Sequence, residues 1–97
     1  MNMQQMLAQA QKMQRQMQKA QEELEKKEFT VTKNGAVTVK VLGSREILSI
    51  DVDESLWTAD DREMVQDMIR MAINEVMEKI DHENEKIQAA ATGGFGF

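Results

Sequence analysis

The hydrophobic period of this chain changes at Glu28 and changes back after Trp57, and those two switches restrict what it can fold into more than any other feature. Before the first switch, Met3, Met6, Ala10, Met13, Met17, Ala20 and Leu24 recur at spacings of three and four residues. This is an a/d seam on residue types (Met, Gln, Ala, Lys, Glu) that favour helix. Leu7 widens the seam at its start. The spacing predicts a helix from about Asn2 to about Lys27, roughly 40 Å long at ~1.5 Å per residue.

From Glu28 the apolar residues alternate with polar ones. Phe29 and Val31, then Val37, Val39 and Val41, then Leu48, Ile50 and Val52 define three strands. Asn34-Gly35 and Gly43-Ser44 stand where turns are needed. A two-residue first turn would set Val31 opposite Thr38 and mix the faces. A three-residue loop, Asn34-Gly35-Ala36, pairs Val31 with Val39 and Phe29 with Val41 and keeps one face apolar. Between strands two and three the expected pairs are Val41 with Leu48, Val39 with Ile50 and Val37 with Val52.

Thr58 followed by Ala59-Asp60-Asp61 reads as a helix N-cap with acidic residues in the first turn. A long helix is expected from there to about Ala91. Its apolar face runs through Met64, Val65, Met68, Ile69, Ala72, Ile73, Val76, Met77 and Ile80, wide enough to cover a sheet. The tail, residues 92–97, is expected to be flexible. The fold class is therefore α+β, one domain over 1–97: a helical arm (1–27), a three-stranded antiparallel meander (28–57), a long helix (58–91) and a tail.

Six-residue strands span about 20 Å, so both helices must overhang the sheet. The second helix, entering at one end of the sheet, should emerge at the other and lie antiparallel to the first. Ile73, Ile80 and Ile87 would then meet the Met/Ala seam. A core this small, with open sheet edges, is most naturally completed by a second copy. The expectation is a tweezers-like homodimer joined in the sheet region, with two helical arms.

Composition narrows the function. With 97 residues and no Cys, disulfides, thiolate metal sites and thiol nucleophiles are removed together. No apolar run approaches the ~20 residues of a membrane span, and the opening MNMQQMLAQAQK lacks a signal-peptide pattern. A cytoplasmic protein without a membrane partner is expected. The net charge of −5 is distributed unevenly. Residues 1–27 hold five Lys/Arg against three Glu, residues 28–58 three against five acids, and residues 59–97 four against nine.

In the first helix Lys12, Arg15, Lys19 and Lys26 occupy positions opposite the seam, surrounded by glutamines that include Gln14 and Gln18, with no acid before Glu22. An ordinary surface helix mixes signs for i,i+4 pairing; this one segregates them. Lys and Arg hold phosphates, and Gln can bind an adenine edge. Doubled in a dimer, three or four cations per arm become six to eight, enough for salt-dependent nucleic-acid binding. The methionines could be read as soft ligands for copper(I), but Met6, Met13 and Met17 fall on the seam, where thioethers fill irregular gaps. Asp51, Asp53 and Glu54 read as a solvated strand end, and His82 as a surface residue. No nucleophile–base–orienter grouping can be assembled, so no catalytic residue, metal or cofactor is expected.

The order of these motifs resembles the YbaB/EbfC nucleoid-associated proteins over nearly the whole chain. The matching segments are Met6-Leu7-Ala8-Gln9-Ala10-Gln11-Lys12-Met13-Gln14, Met17-Gln18-Lys19-Ala20-Gln21-Glu22-Glu23-Leu24, Val37-Thr38-Val39-Lys40-Val41 with Gly43, and Ile50-Asp51-Val52-Asp53 with Leu56. Asp61-Arg62-Glu63-Met64, Asp67 and Ala72-Ile73-Asn74-Glu75 extend the match into the second helix. The family's proline after the third strand is absent, and its glycine-rich segment before the second strand is shortened to Asn34-Gly35-Ala36. The resemblance implies a small bacterial protein of the cytoplasm and nucleoid, dimeric, shaped like tweezers and binding double-stranded DNA through its arms. It implies DNA contacts from Lys12, Arg15 and Lys19, base or sugar contacts from Gln14 and Gln18, and Lys26 and Lys27 at the base of the cleft.

Two rival readings stand beside this one. Helical arms with apolar seams also suit a protein-interaction or chaperone-like clamp, which would expose Met3, Met6 and Leu7 at the tips and respond little to salt. The acidic second helix would also suit a scaffold that docks DNA-repair or recombination proteins.

Overall fold

The computed structural model describes residues 2–93 and follows the predicted element order. Helix α1 spans Met3–Lys26, strands β1, β2 and β3 span Glu28–Lys33, Val37–Leu42 and Ile47–Val52, and helix α2 spans Arg62–Gly93. The three strands form one antiparallel sheet in the order β1-β2-β3. Residues 94–97, most of the expected tail, lie outside the described residues; the backbone of residues 92–93 completes α2.

The β1–β2 connection is the three-residue loop. Lys33 pairs with Val37, Val31 with Val39 and Phe29 with Val41. Asn34 and Gly35 take left-handed backbone (φ 52° and 66°), and the Ala36 amide donates to the Lys33 carbonyl at 2.9 Å. Asn and Gly are the residues that adopt this conformation at least cost. All five alternate apolar residues of β1 and β2 consequently share one buried face.

Strand β3 corrects the expectation at one pair. Val37 meets Val52 and Val39 meets Ile50 as expected, but Val41 meets Ile47 across a bulge between Lys40 and Val41. Leu48 is the extra residue. A bulge of this kind bends the strand and resets which side chains face inward, which period-two counting through Leu48 cannot anticipate.

The start of the second helix also differs. Asp53 accepts hydrogen bonds from the Ser55 amide (2.9 Å) and hydroxyl (2.7 Å), and a single 3-10 turn, Glu54–Leu56, follows. Asp53, read in the sequence as a solvated strand end, is thus a cap. The Thr58 hydroxyl donates to Asp61 (2.9 Å) and accepts from the Asp61 amide (3.2 Å). Thr58 closes a separate turn, and α2 begins at Arg62, about one turn later than expected.

Helix α2 packs over β1 and β2. Val65, Met68, Ala72, Val76 and Ile80 are buried, all but Val65 in one cluster with Phe29, Val31, Val37, Val39 and Val41. Ile73 and Met77 flank this cluster, so Ile73 belongs over the sheet and not in the arm. Beyond Ile80 the helix leaves the sheet and runs beside α1. The molecule is accordingly elongated, 69 × 24 × 15 Å.

Candidate nucleic-acid interface

Helix α1 starts cleanly because the Asn2 side chain accepts from the Gln5 amide at 2.8 Å, satisfying one of the amides a helix start leaves unpaired. Its seam meets α2 only in part. Met13, Met17 and Ala20 line a groove of about 270 Å³ with Ile87, Ala90 and Ala91 of α2, and Met13, Met17, Ala20 and Leu24 are half-buried. Toward the tip the seam is open: Met3 is 84% exposed, Met6 57% and Leu7 60%. Met6, expected to fill a packed seam, therefore does not. No residue of α1 is buried.

The cationic face lies on the opposite side of this helix. At ~100° per residue, Lys12, Arg15, Lys19 and Lys26 fall within a wedge of about 60°, roughly 150° from the seam. All four are exposed, as are Gln14 and Gln18. Among the described residues, no carboxylate oxygen comes within 4.0 Å of any α1 cation. Helix α2 behaves differently: Arg70 pairs with Asp67 at 3.5 Å and Lys86 with Glu83 at 3.4 Å, each within one turn. The charge segregation read from the sequence thus survives folding on α1, and α2 mixes its signs.

Lys27 stands apart from this wedge. It is the C-cap of α1, and its ammonium sits 5.2 Å from the centre of the Phe29 ring, at the junction with the sheet. Ammonium over an aromatic face is a favourable pairing that holds the side chain near the base of the arm. Lys26 and Lys27 are both exposed there.

The remaining polar groups have other surroundings. His82 is exposed and lines a cavity of about 400 Å³ with Phe29, Glu75, Glu78, Lys79 and Glu83. Glu75 accepts a hydrogen bond from Lys33 of β1, which holds its carboxyl below the ordinary glutamate value. Among the described residues no group of three His, Cys, Asp or Glu side chains is placed to hold a metal ion, and no helix is long and apolar enough to cross a membrane. The uncovered tip, expected from the sequence only under the protein-clamp reading, depends on how far α2 reaches along α1.

The family model for the YbaB/EbfC DNA-binding family matches residues 1–95. A nucleoid-associated protein of Mycoplasmopsis pulmonis is 42% identical over 94 residues, covering 97% of this chain and 93% of the relative. One of Clostridium novyi is 47% identical over 95 residues, covering 97% and 83%. A crystal structure of an uncharacterized protein from Helicobacter pylori superposes with a TM-score of 0.73 at 20% identity, covering 91% of this chain and 94% of that one, which shows a shared fold. With a family model matching nearly the whole chain, relatives above 40% identity and the α+β order of elements in one molecule, the chain belongs to the YbaB/EbfC DNA-binding family.

Proposed function

We propose that this protein binds duplex DNA, without catalysing a reaction, through the exposed face of α1 bearing Lys12, Arg15 and Lys19. Gln14 and Gln18 reach sugar or base edges beside them, and Lys26 and Lys27 meet phosphates near the base of the arm. The observation that carries this reading is the row of four exposed α1 cations with no carboxylate within 4.0 Å among the described residues, on the side of the helix away from its half-buried seam. Such a row exchanges condensed counterions for phosphate, so binding would be steeply salt-dependent and weakly selective for sequence. The relatives named nucleoid-associated proteins support a nucleoid location for this chain as well.

Two copies would close the molecule across β3. That strand is a sheet edge, α2 lies over β1 and β2, and Ile47, Leu48 and Ile50 on it remain nearly half exposed. An uncovered edge strand with apolar side chains is ordinarily covered by a partner. A pair would carry two cationic arms and neutralise twice as many phosphates.

Fluorescence anisotropy with a duplex over a salt series tests the reading. The expected result is a steep log–log slope in the parent. In Lys12→Ala/Arg15→Ala/Lys19→Ala the slope should be shallower by about one for each phosphate that a binding unit no longer neutralises. A flat slope in the parent, or an unchanged variant, would instead favour the protein-clamp reading, for which the open apolar tip of Met3, Met6 and Leu7 is the supporting observation. Docking of repair or recombination proteins would then be sought on the acidic surface of α2.

A further inference from the structure

Three residues between β2 and β3 touch both helices at the place where these leave the sheet. The Ser44 amide donates to the Glu25 carbonyl at 3.1 Å, and the Gly43 amide to the Lys27 carbonyl at 2.8 Å. These acceptors belong to the end of α1, where a helix leaves carbonyls without partners of its own. On the other side, the Arg45 guanidinium donates to the Asp81 carboxylate and, at 3.6 Å, to the Met77 sulfur, both on α2. Arg45 does this from left-handed backbone (φ 79°), a conformation unfavourable for a residue with a Cβ.

We propose that this turn is the mount of the helical arm, and that Gly43 is the positioning residue that sets the angle at which α1 leaves the sheet. Gly43 is not needed for backbone freedom, since its φ lies outside the left-handed region. It is needed for space. A Cβ at this position would stand 1.8 Å from the Leu24 carbonyl oxygen and 2.6 Å from its carbon. Both are backbone atoms, so no side chain can swing aside, and either the last turn of α1 or the β2–β3 turn has to move. No residue of α1 is fully buried, and of its seam only Leu24 packs against the edge of the sheet core, so the core by itself does not fix the direction of the helix. Its half-buried seam and this end attachment do so instead. Lys12 lies roughly 20 Å along the helix from Lys26, so a small angular change at the base is multiplied at the cationic face.

The proposal rests on the DNA-binding reading of α1 for its functional consequence, and the test separates the two. The chain has no Cys, so spin labels can be placed at Gln9→Cys on α1 and Lys40→Cys on β2, both exposed, with labelled protein diluted into unlabelled. In Gly43→Ala the mean label separation should shift by several ångströms while the sheet amide resonances keep their pattern. Duplex affinity should fall about tenfold, with a salt slope shallower by about one to two although Lys12, Arg15 and Lys19 are intact. Asp81→Ala, which removes the acceptor of Arg45 without adding bulk, should broaden the same distance distribution, and this second variant decides the matter should Gly43→Ala fail to fold. Unchanged distances in the folded variants overturn the mount. A shifted distance with unaltered affinity overturns the positioning role. A parent with no salt response defeats the DNA reading, and the label distances still judge the mount.

Discussion

Glu75 on α2 accepts from Lys33 at the end of β1, a polar clasp at the rim of the helix–sheet core. Its carboxyl is held below the ordinary value first by that hydrogen bond, against some desolvation, with the charges of Lys33 and Lys79 adding to it. Asp53 is lowered by the Ser55 hydroxyl and amide. A carboxylate lowered in the folded state contributes stability that is present above its ordinary value and lost as pH falls through the lowered one. A carboxyl-carbon NMR titration should therefore place both midpoints below those of unfolded peptides, and Lys33→Met should return Glu75, but not Asp53, toward the ordinary value. The urea midpoint of the parent should fall more steeply than that of Lys33→Met across this acid window. The Lys33–Glu75 clasp is not legible in the sequence, since the two residues meet only once α2 is laid over β1. The Asp53 cap is more local, and the Ser two residues on was its visible signal.

At the scale of elements, the two helices have the same seam-like periodicity and opposite fates. Ile80 is fully buried where α2 leaves the sheet, whereas Met6 lies on a seam that α2 does not cover. Truncating a buried Ile removes its transfer free energy and leaves a cavity, so Ile80→Ala should cost about 3–4 kcal/mol. Met6→Ala should stay within about 0.5 kcal/mol, as for an exposed site. Equilibrium urea unfolding checks both, and comparable losses would mean that the tip is packed after all. Sequence periodicity located both helices and the three-residue β1–β2 loop, since these depend on neighbours a few residues apart. It could not find the bulge at Leu48, which arises from how β3 must bend beside β2, nor the late start of α2, where Thr58 closes its own turn.

The whole molecule is a rod of 69 Å on a sheet whose β3 edge is unpaired. If two copies close across that edge, Ile50→Lys should place an ammonium in the interface and convert the parent dimer to a monomer with its helicity retained, as sedimentation velocity and circular dichroism would show. A parent that sediments as a monomer at tens of micromolar would remove the dimer and halve the cations available to one duplex.

The amino-acid sequence by itself determined the order of elements, the loop that keeps one sheet face apolar, and the gathering of cations on one side of α1, because each follows from side chains only a few positions apart. Tertiary structure alone decided how much of the α1 seam is covered, which carboxylates approach which cations, and that a Cβ at position 43 would meet the backbone of Leu24. Those outcomes are distances between residues far apart in the chain, and they exist only after α2 has crossed the sheet and come to lie beside α1.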